Sequence, residues 1–185
     1  MNIAVDLDGV IWDIMGVFLE LYNEKFETNI KVEEVDEWYY FPEEKFQAVY
    51  PDTLKRIDEY PFLDESINHY LFLLMGKNEV KILTHEGNTV DVMKKKLEAL
   101  NIREGFEYLE LIKQDTYNGD KLSEVFDIYI DDCPLLVDRM KEYPDRILLL
   151  YDQPWNQYCE ESNNVFRVKG WKNIMEKIGE IENVI

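Results

Sequence analysis

Residues 3–10 read I-A-V-D-L-D-G-V, and this short stretch limits the fold more than any other part of the chain. Three apolar residues of strand-forming character lead into two aspartates, Asp6 and Asp8, and then Gly9. The pattern predicts a short buried strand whose carboxyl end delivers two acids into the crevice where open α/β sheets bind ligands. Two carboxylates this close repel each other unless a shared proton or a cation holds them. A hard divalent ion with oxygen ligands suits them, and Mg²⁺ is the natural choice because it also brings phosphate. Taken alone, D-x-D-G is equally a strand followed by an Asx turn, with Gly9 at the tight backbone position.

Beyond Val10 the chain is helical for a long stretch before strands return. Apolar residues recur at helical intervals over 12–26. Acids and aromatics mix from Glu33 onward, and 43–60 reads as one or two short helices interrupted at Pro51. Residues 64–75 predict a helix with Asp64 as N-cap and an apolar face of Ile67, Tyr70, Leu71 and Leu74. His69 on that helix packs or faces water. No strand pattern appears between Val10 and Asn78, so residues 15–75 are expected to form a helical cap. Residues 1–14 and 76–185 would then form the core.

From residue 79 strands and helices alternate. A strand at 80–83 runs into Thr84, and a helix at 87–100 carries Lys94, Lys95 and Lys96, expected on a solvated face. A strand at 108–113 is followed by Gly119-Asp120-Lys121 opening a short helix to Val125. The strand at 127–130 ends in Asp131-Asp132, and Pro134 starts a helix to about residue 142. Strands at 146–151 and 165–168 precede a last helix at 171–181. This order, without internal repeats, predicts an α/β fold with a doubly wound parallel sheet.

Charge narrows the partners. The chain has 39 acids against 20 bases, a formal net charge of −19, which repels nucleic acid polymers and anionic membranes. The same field opposes a phosphate-bearing substrate, so a local cation would have to overturn it. Cys133 and Cys159 have neither C-x-x-C spacing nor a histidine partner pattern and read as reduced thiols. With no leader-like segment at the start and no long apolar run, a cytoplasmic protein is expected. Oligomeric state has no signature in the chain.

Three apolar strands thus end in Asp6/Asp8, Thr84 and Asp131/Asp132, and in a parallel sheet those ends share one edge, with Lys121 nearby. Each has a plainer explanation by itself: Thr84 as a strand-end hydroxyl, Lys121 as a solvated helix residue, Asp131-Asp132 as a helix cap. The set in this order is far more specific.

The D-L-D-G-V segment, Thr84 after a strand, Lys121 and Asp131-Asp132 resemble the four ordered motifs of the haloacid dehalogenase superfamily of phosphotransferases. The helical stretch between the first two motifs is similar to that superfamily's type 1 cap, and the core to its Rossmann-like domain. The segments I-D-D-C-P and L-Y-D-Q-P-W-N look most like the 5′(3′)-deoxyribonucleotidase (type C cytosolic nucleotidase) group and its uncharacterised bacterial and phage relatives. The superfamily resemblance spans essentially the whole chain; the group resemblance rests on these two segments.

The resemblance implies a Mg²⁺-dependent hydrolysis of phosphomonoesters through an aspartyl-phosphate. Asp6 would be the nucleophile, and Asp8 would protonate the leaving oxygen and then activate water. A carboxylate at position 8 favours phosphoryl chemistry, because the dehalogenases of the superfamily need no acid there. The Asp6 carboxylate, the Asp8 carbonyl and one acid of Asp131-Asp132, with Asp132 preferred and Asp131 behind it, would bind Mg²⁺. Thr84 would bond a phosphoryl oxygen and Lys121 offset charge on Asp6 and the phosphate. The small-molecule partner would be a nucleoside monophosphate, with Trp38, Tyr39 and Tyr40 stacking on the base and His85 beside the phosphate or leaving group. Those aromatics are equally suited to the cap's own core, and His85 to a surface loop. Trp155 and Asn156 follow the fifth strand at the same edge without an assigned role. The alternatives are another small ester, such as a sugar phosphate, or a non-catalytic Mg²⁺- and phosphate-binding regulator.

Overall fold

The computed structural model describes residues 1–85, 87–98 and 121–183, and the backbone of 107–110 and 119–120. Six strands form one parallel sheet: β1 (Asn2–Val5), β2 (Glu79–Thr84), β3 (Glu107–Glu110), β4 (Ile128–Asp131), β5 (Ile147–Tyr151) and β6 (Val165–Val168). Their order is β3-β2-β1-β4-β5-β6. The order reverses at β1, which pairs with β2 on one side and β4 on the other. A crevice opens at such a reversal, outside the strands' carboxyl ends.

Period-2 alternation distributes the strand residues between two cores. Ile3, Val5, Ile82, Ile128, Ile130 and Leu149 pack with Ile67, Leu71 and Leu74 of α3 (Ile67–Met75) and Trp171, Ile174 and Ile178 of α6 (Trp171–Glu182). Ala4, Leu83, Tyr129, Leu148 and Leu150 point the other way, onto Leu136 of α5 (Pro134–Arg139) and Leu122, Phe126 and Met140. Both faces are covered, which is why these strands read as nearly continuous apolar runs.

Between β1 and β2 lie α1 (Ile14–Phe26), α2 (Glu43–Lys55), α3 and two short 3₁₀ turns. Asp13 caps α1 by accepting the Gly16 amide at 2.9 Å. A third apolar cluster gathers Phe18, Leu19 and Tyr22 of α1, Val49 of α2, and Val35. Phe41 joins it, its ring 5.0 Å from Phe18 and 4.7 Å from Tyr22. Trp155, from just beyond β5, belongs to the same cluster.

Four local expectations change. α2 runs through Pro51 without a break: Pro51 and Gln47, whose carbonyl loses its amide, both lie on the exposed side, so water can replace the missing bond. α3 starts at Ile67, not Asp64, whose side chain instead turns back to the Ser66 amide at 2.7 Å. Lys96 is not solvated. On α4 (Val90–Glu98) it shares the inward face with Met93 and Leu97, because three consecutive helical residues fan over too wide an arc for all to face water. Its ammonium donates to the Tyr60 carbonyl at 2.7 Å and lies 5.1–5.5 Å from the rings of Trp12, Tyr60 and Phe62. α4 starts at Val90 and not at Gly87; residues 99–100 of the expected helix and 111–113 of the expected strand lie outside the described residues.

Candidate active site

Register brings the acids together. Val5 is aligned with Ile130, and the Asp6 amide donates to the Ile130 carbonyl at 2.9 Å. Asp6 and Asp131 therefore leave neighbouring strands side by side, at the point where strand order reverses. Between them stands Lys121, whose side chain is 2 % exposed, its Nζ 2.7 Å from Asp6 Oδ2 and 2.6 Å from Asp131 Oδ2. The other oxygens are also engaged: Asp6 Oδ1 accepts the Leu7 amide and Asp131 Oδ1 the Cys133 amide. Asp132 is 4 % exposed and accepts the Trp155 indole N–H on Oδ2 at 3.0 Å.

Asp6, Asp131 and Asp132 each present a carboxylate oxygen within 4.8 Å of the others. Burial, opposed by Lys121 and reinforced by the Asp6 charge, pushes the Asp131 carboxyl up to about 6. Burial and the charges of Asp131 and Asp6 push Asp132 well above the carboxylate range. Burial would lower the Lys121 pKa, but Asp131 and Asp6 outweigh it and hold the ammonium charged. When all are ionised, three buried acids against one buried ammonium leave an excess of two negative charges, which is the charge of one divalent cation. Unpaired buried charge is costly, and an all-oxygen donor set is what Mg²⁺ takes. These residues therefore fit the metal that the motifs imply.

Gly9 shapes the cradle. Its φ is +73°, and a Cβ there would stand 2.1 Å from Asp132 Oδ2, so only glycine lets the loop pass this close to the acid. Asp8, half-buried two residues beyond Asp6, accepts the Trp12 indole N–H at 2.5 Å. Thr84 ends β2 and is buried, and half-buried His85 comes directly after it.

The aromatic segment divides. Tyr40 packs edge-on against Phe41 and joins the cluster of α1 and α2. Trp38 and exposed Tyr39 line a cavity of about 490 Å³ with Asp36, Glu37, Leu135 and Tyr158. None of Asp6, Asp8, Asp131 and Asp132 is among the described residues lining it. The structure thus joins Asp6, Lys121, Asp131 and Asp132 by direct contact or close approach, and leaves Trp38, Tyr39 and Tyr40 in separate surroundings.

Trp155 and Asn156, expected at this edge, belong to a supporting layer. Gln153 Nε2 donates to the Gly9 carbonyl at 2.7 Å, and Asn156 Nδ2 to the carbonyls of Asp132 at 2.9 Å and Tyr151 at 2.8 Å. Arg167 holds Asn156 in turn, reaching its Oδ1 at 2.7 Å and its carbonyl at 2.9 Å. The L-Y-D-Q-P-W-N segment thus wraps the metal-ligand candidates; its polar residues after a strand and its family resemblance were the signals for it, and neither showed which groups Gln153 and Arg167 would hold.

No curated protein sequence matches the chain. Solved structures give the fold. A candidate β-phosphoglucomutase from Thermotoga maritima is 13% identical with a TM-score of 0.58, covering 97% of this chain and 99% of its own. A HAD-superfamily hydrolase of subfamily IA from Geobacter sulfurreducens is 15% identical with a TM-score of 0.57, covering 96% of each chain. A candidate HAD-hydrolase from Bacillus subtilis, bound to magnesium, is 10% identical with a TM-score of 0.58, covering 96% of this chain and 98% of its own. The model of the family described as 5′ nucleotidase, deoxy (Pyrimidine), cytosolic type C protein matches residues 1–182. A match over nearly the whole length, joined to this fold and this buried group of acids, means that the chain belongs to that family.

Proposed function

We propose that the protein is a Mg²⁺-dependent phosphatase that hydrolyses nucleoside monophosphates, as a 5′(3′)-(deoxy)ribonucleotidase, through an aspartyl-phosphate on Asp6. The observation that carries this reading is the buried set of Asp6, Asp131 and Asp132 around Lys121 at the strand-order reversal, with Asp8 two residues beyond the nucleophile.

A phosphate dianion repels nucleophiles, so positioning and charge neutralisation supply most of the rate. Lys121 fixes Asp6 Oδ2 and lends positive charge where the phosphoryl group arrives. An Asp6 oxygen attacks phosphorus as the ester P–O bond breaks, and Asp8 donates a proton to the departing oxygen. Asp8 then takes a proton from water, whose oxygen attacks phosphorus, breaks the bond to Asp6 and releases phosphate. Thr84 donates its hydroxyl to a phosphoryl oxygen, and His85 stands beside it. The Asp6 carboxylate, the Asp8 carbonyl and Asp132 would hold Mg²⁺, with Asp131 behind Asp132 and fixing Lys121 at 2.6 Å. When bound, the metal supplies charge to the phosphoryl oxygens.

Residues 15–75 would act as the cap over a core of 1–14 and 76–185, and the protein would work in the cytoplasm. Trp38 and Tyr39 are the candidates for the base, in a cavity of the size that small ligands occupy. One stacked base is worth ~1–3 kcal/mol in single-strand binders. A phosphate-release screen over deoxy- and ribonucleotides and sugar phosphates, with and without Mg²⁺, tests the proposal. Turnover of nucleoside monophosphates only with Mg²⁺ is the expected result. A preference for sugar phosphates would overturn the substrate and spare the mechanism.

A further inference from the structure

Trp155 does two things at once. Its ring is 5% exposed and packs among Phe18, Leu19, Tyr22, Val35 and Val49, which come from α1, α2 and the turn between them. Its Nε1 donates to Asp132 Oδ2 at 3.0 Å. An indole N–H donates and never accepts, so it orients the carboxylate without competing for a metal. The flanking residues fix the Asp132 main chain and the facing loop: Asn156 holds the Asp132 carbonyl and Gln153 the Gly9 carbonyl. The backbone of this segment is in turn held by Arg167.

We propose that Trp155 is a positioning residue for Mg²⁺, its indole N–H fixing the Asp132 carboxylate from a ring anchored in the helical segment between β1 and β2. The proposal rests on the Mg²⁺-phosphatase reading above. Groups that orient metal ligands usually carry ~10–100-fold in metal affinity or activity, and this one also makes the packing of α1 and α2 a determinant of Asp132 geometry.

Two substitutions separate the roles. W155F keeps an aromatic ring in the cluster and removes the donor. W155H can place a ring N–H at the indole nitrogen's position and removes the outer ring. Mg²⁺ affinity is measured directly by calorimetric titration and by the shift of the melting temperature with Mg²⁺, independently of turnover. W155F is expected to fold and to bind Mg²⁺ ~10–100-fold more weakly. W155H, measured at a pH where the imidazole is neutral, is expected to melt lower yet bind Mg²⁺ within a few-fold of the natural protein. Equal Mg²⁺ affinity in W155F and the natural protein would overturn the inference, and so would equal weakening in both variants in proportion to lost stability. Failure of the natural protein itself to bind Mg²⁺ would overturn the underlying reading instead. If neither variant folds, Asn156→Ala in the same titration decides: unchanged affinity counts against the segment's role, and ~10-fold weakening supports it.

Discussion

Replacing Lys121 by methionine keeps the length of the stem and removes the ammonium, with its charge and its hydrogen bonds to Asp6 and Asp131. In the structure that charge lies 2.7 Å from Asp6 and 2.6 Å from Asp131, with the lysine side chain almost fully enclosed. Without it, carboxylate oxygens within 4.8 Å of each other face one another directly. At an effective dielectric constant of about 20, two unit charges ~5 Å apart repel by about 3 kcal/mol. Breaking a buried ion pair from one side costs about 3–5 kcal/mol. Both routes predict a loss of about 3–5 kcal/mol at neutral pH without metal, much of the ~5–15 kcal/mol that holds a domain. Urea unfolding in EDTA measures it. Saturating Mg²⁺ should restore part of the loss by neutralising the same acids. A K121M protein within ~1 kcal/mol of the natural one in EDTA would refute the reasoning, because Lys121 would then not be what holds these acids together.

The same geometry sets other outcomes. Gly9→Ala should cost ~1–2 kcal/mol for a side chain at positive φ, and its Cβ, 2.1 Å from Asp132 Oδ2, should also displace that acid; lowered stability with undiminished Mg²⁺ binding in calorimetry would contradict the second part. The pH dependence has a definite sign. In the metal-free protein the folded state holds protons on Asp131, at about 6, and on Asp132, also raised, that the unfolded chain releases near 3.8. The Asp131 contribution to stability is present below about pH 4 and is lost as pH rises through about 6, and the Asp132 contribution is lost in the same direction. Melting curves in EDTA should therefore fall away from those in Mg²⁺ as pH rises across that window, and parallel curves would count against it. Asp6→Asn should abolish hydrolysis of an aryl phosphate while circular dichroism and melting remain near those of the natural protein, and retained turnover would remove Asp6 from the nucleophile's place.

The parts of the fold that were legible in the chain share a physical cause. Buried parallel strands must be apolar on both faces, so I-A-V, V-K-I-L and I-Y-I stand out, and the polar residues that interrupt each run at its end are equally visible. That is why Asp6, Thr84 and Asp131-Asp132 could be read as sharing an edge. The structure confirms the parallel sheet and adds its order. Contacts that depend on distant partners were not legible. Lys96 looked like part of a solvated run because nothing nearby in sequence shows that Trp12, Tyr60 and Phe62 enclose it. Trp155 had no visible partner because Asp132 lies on the preceding strand's loop and the apolar neighbours more than a hundred residues earlier. Pro51 misled in the opposite sense: its local cost is real, but tertiary packing of Val49 and Thr53 on either side carries the helix through it.

The most direct test of the chemistry is to catch the phosphoryl group on the protein. Quenching the natural enzyme during turnover of a nucleoside monophosphate with Mg²⁺ and reducing it with borohydride converts an aspartyl-phosphate to homoserine, which peptide mass spectrometry locates. The account predicts homoserine at position 6, dependent on both substrate and Mg²⁺. Vigorous turnover with Asp6 unmodified, or the label on another residue, would contradict it.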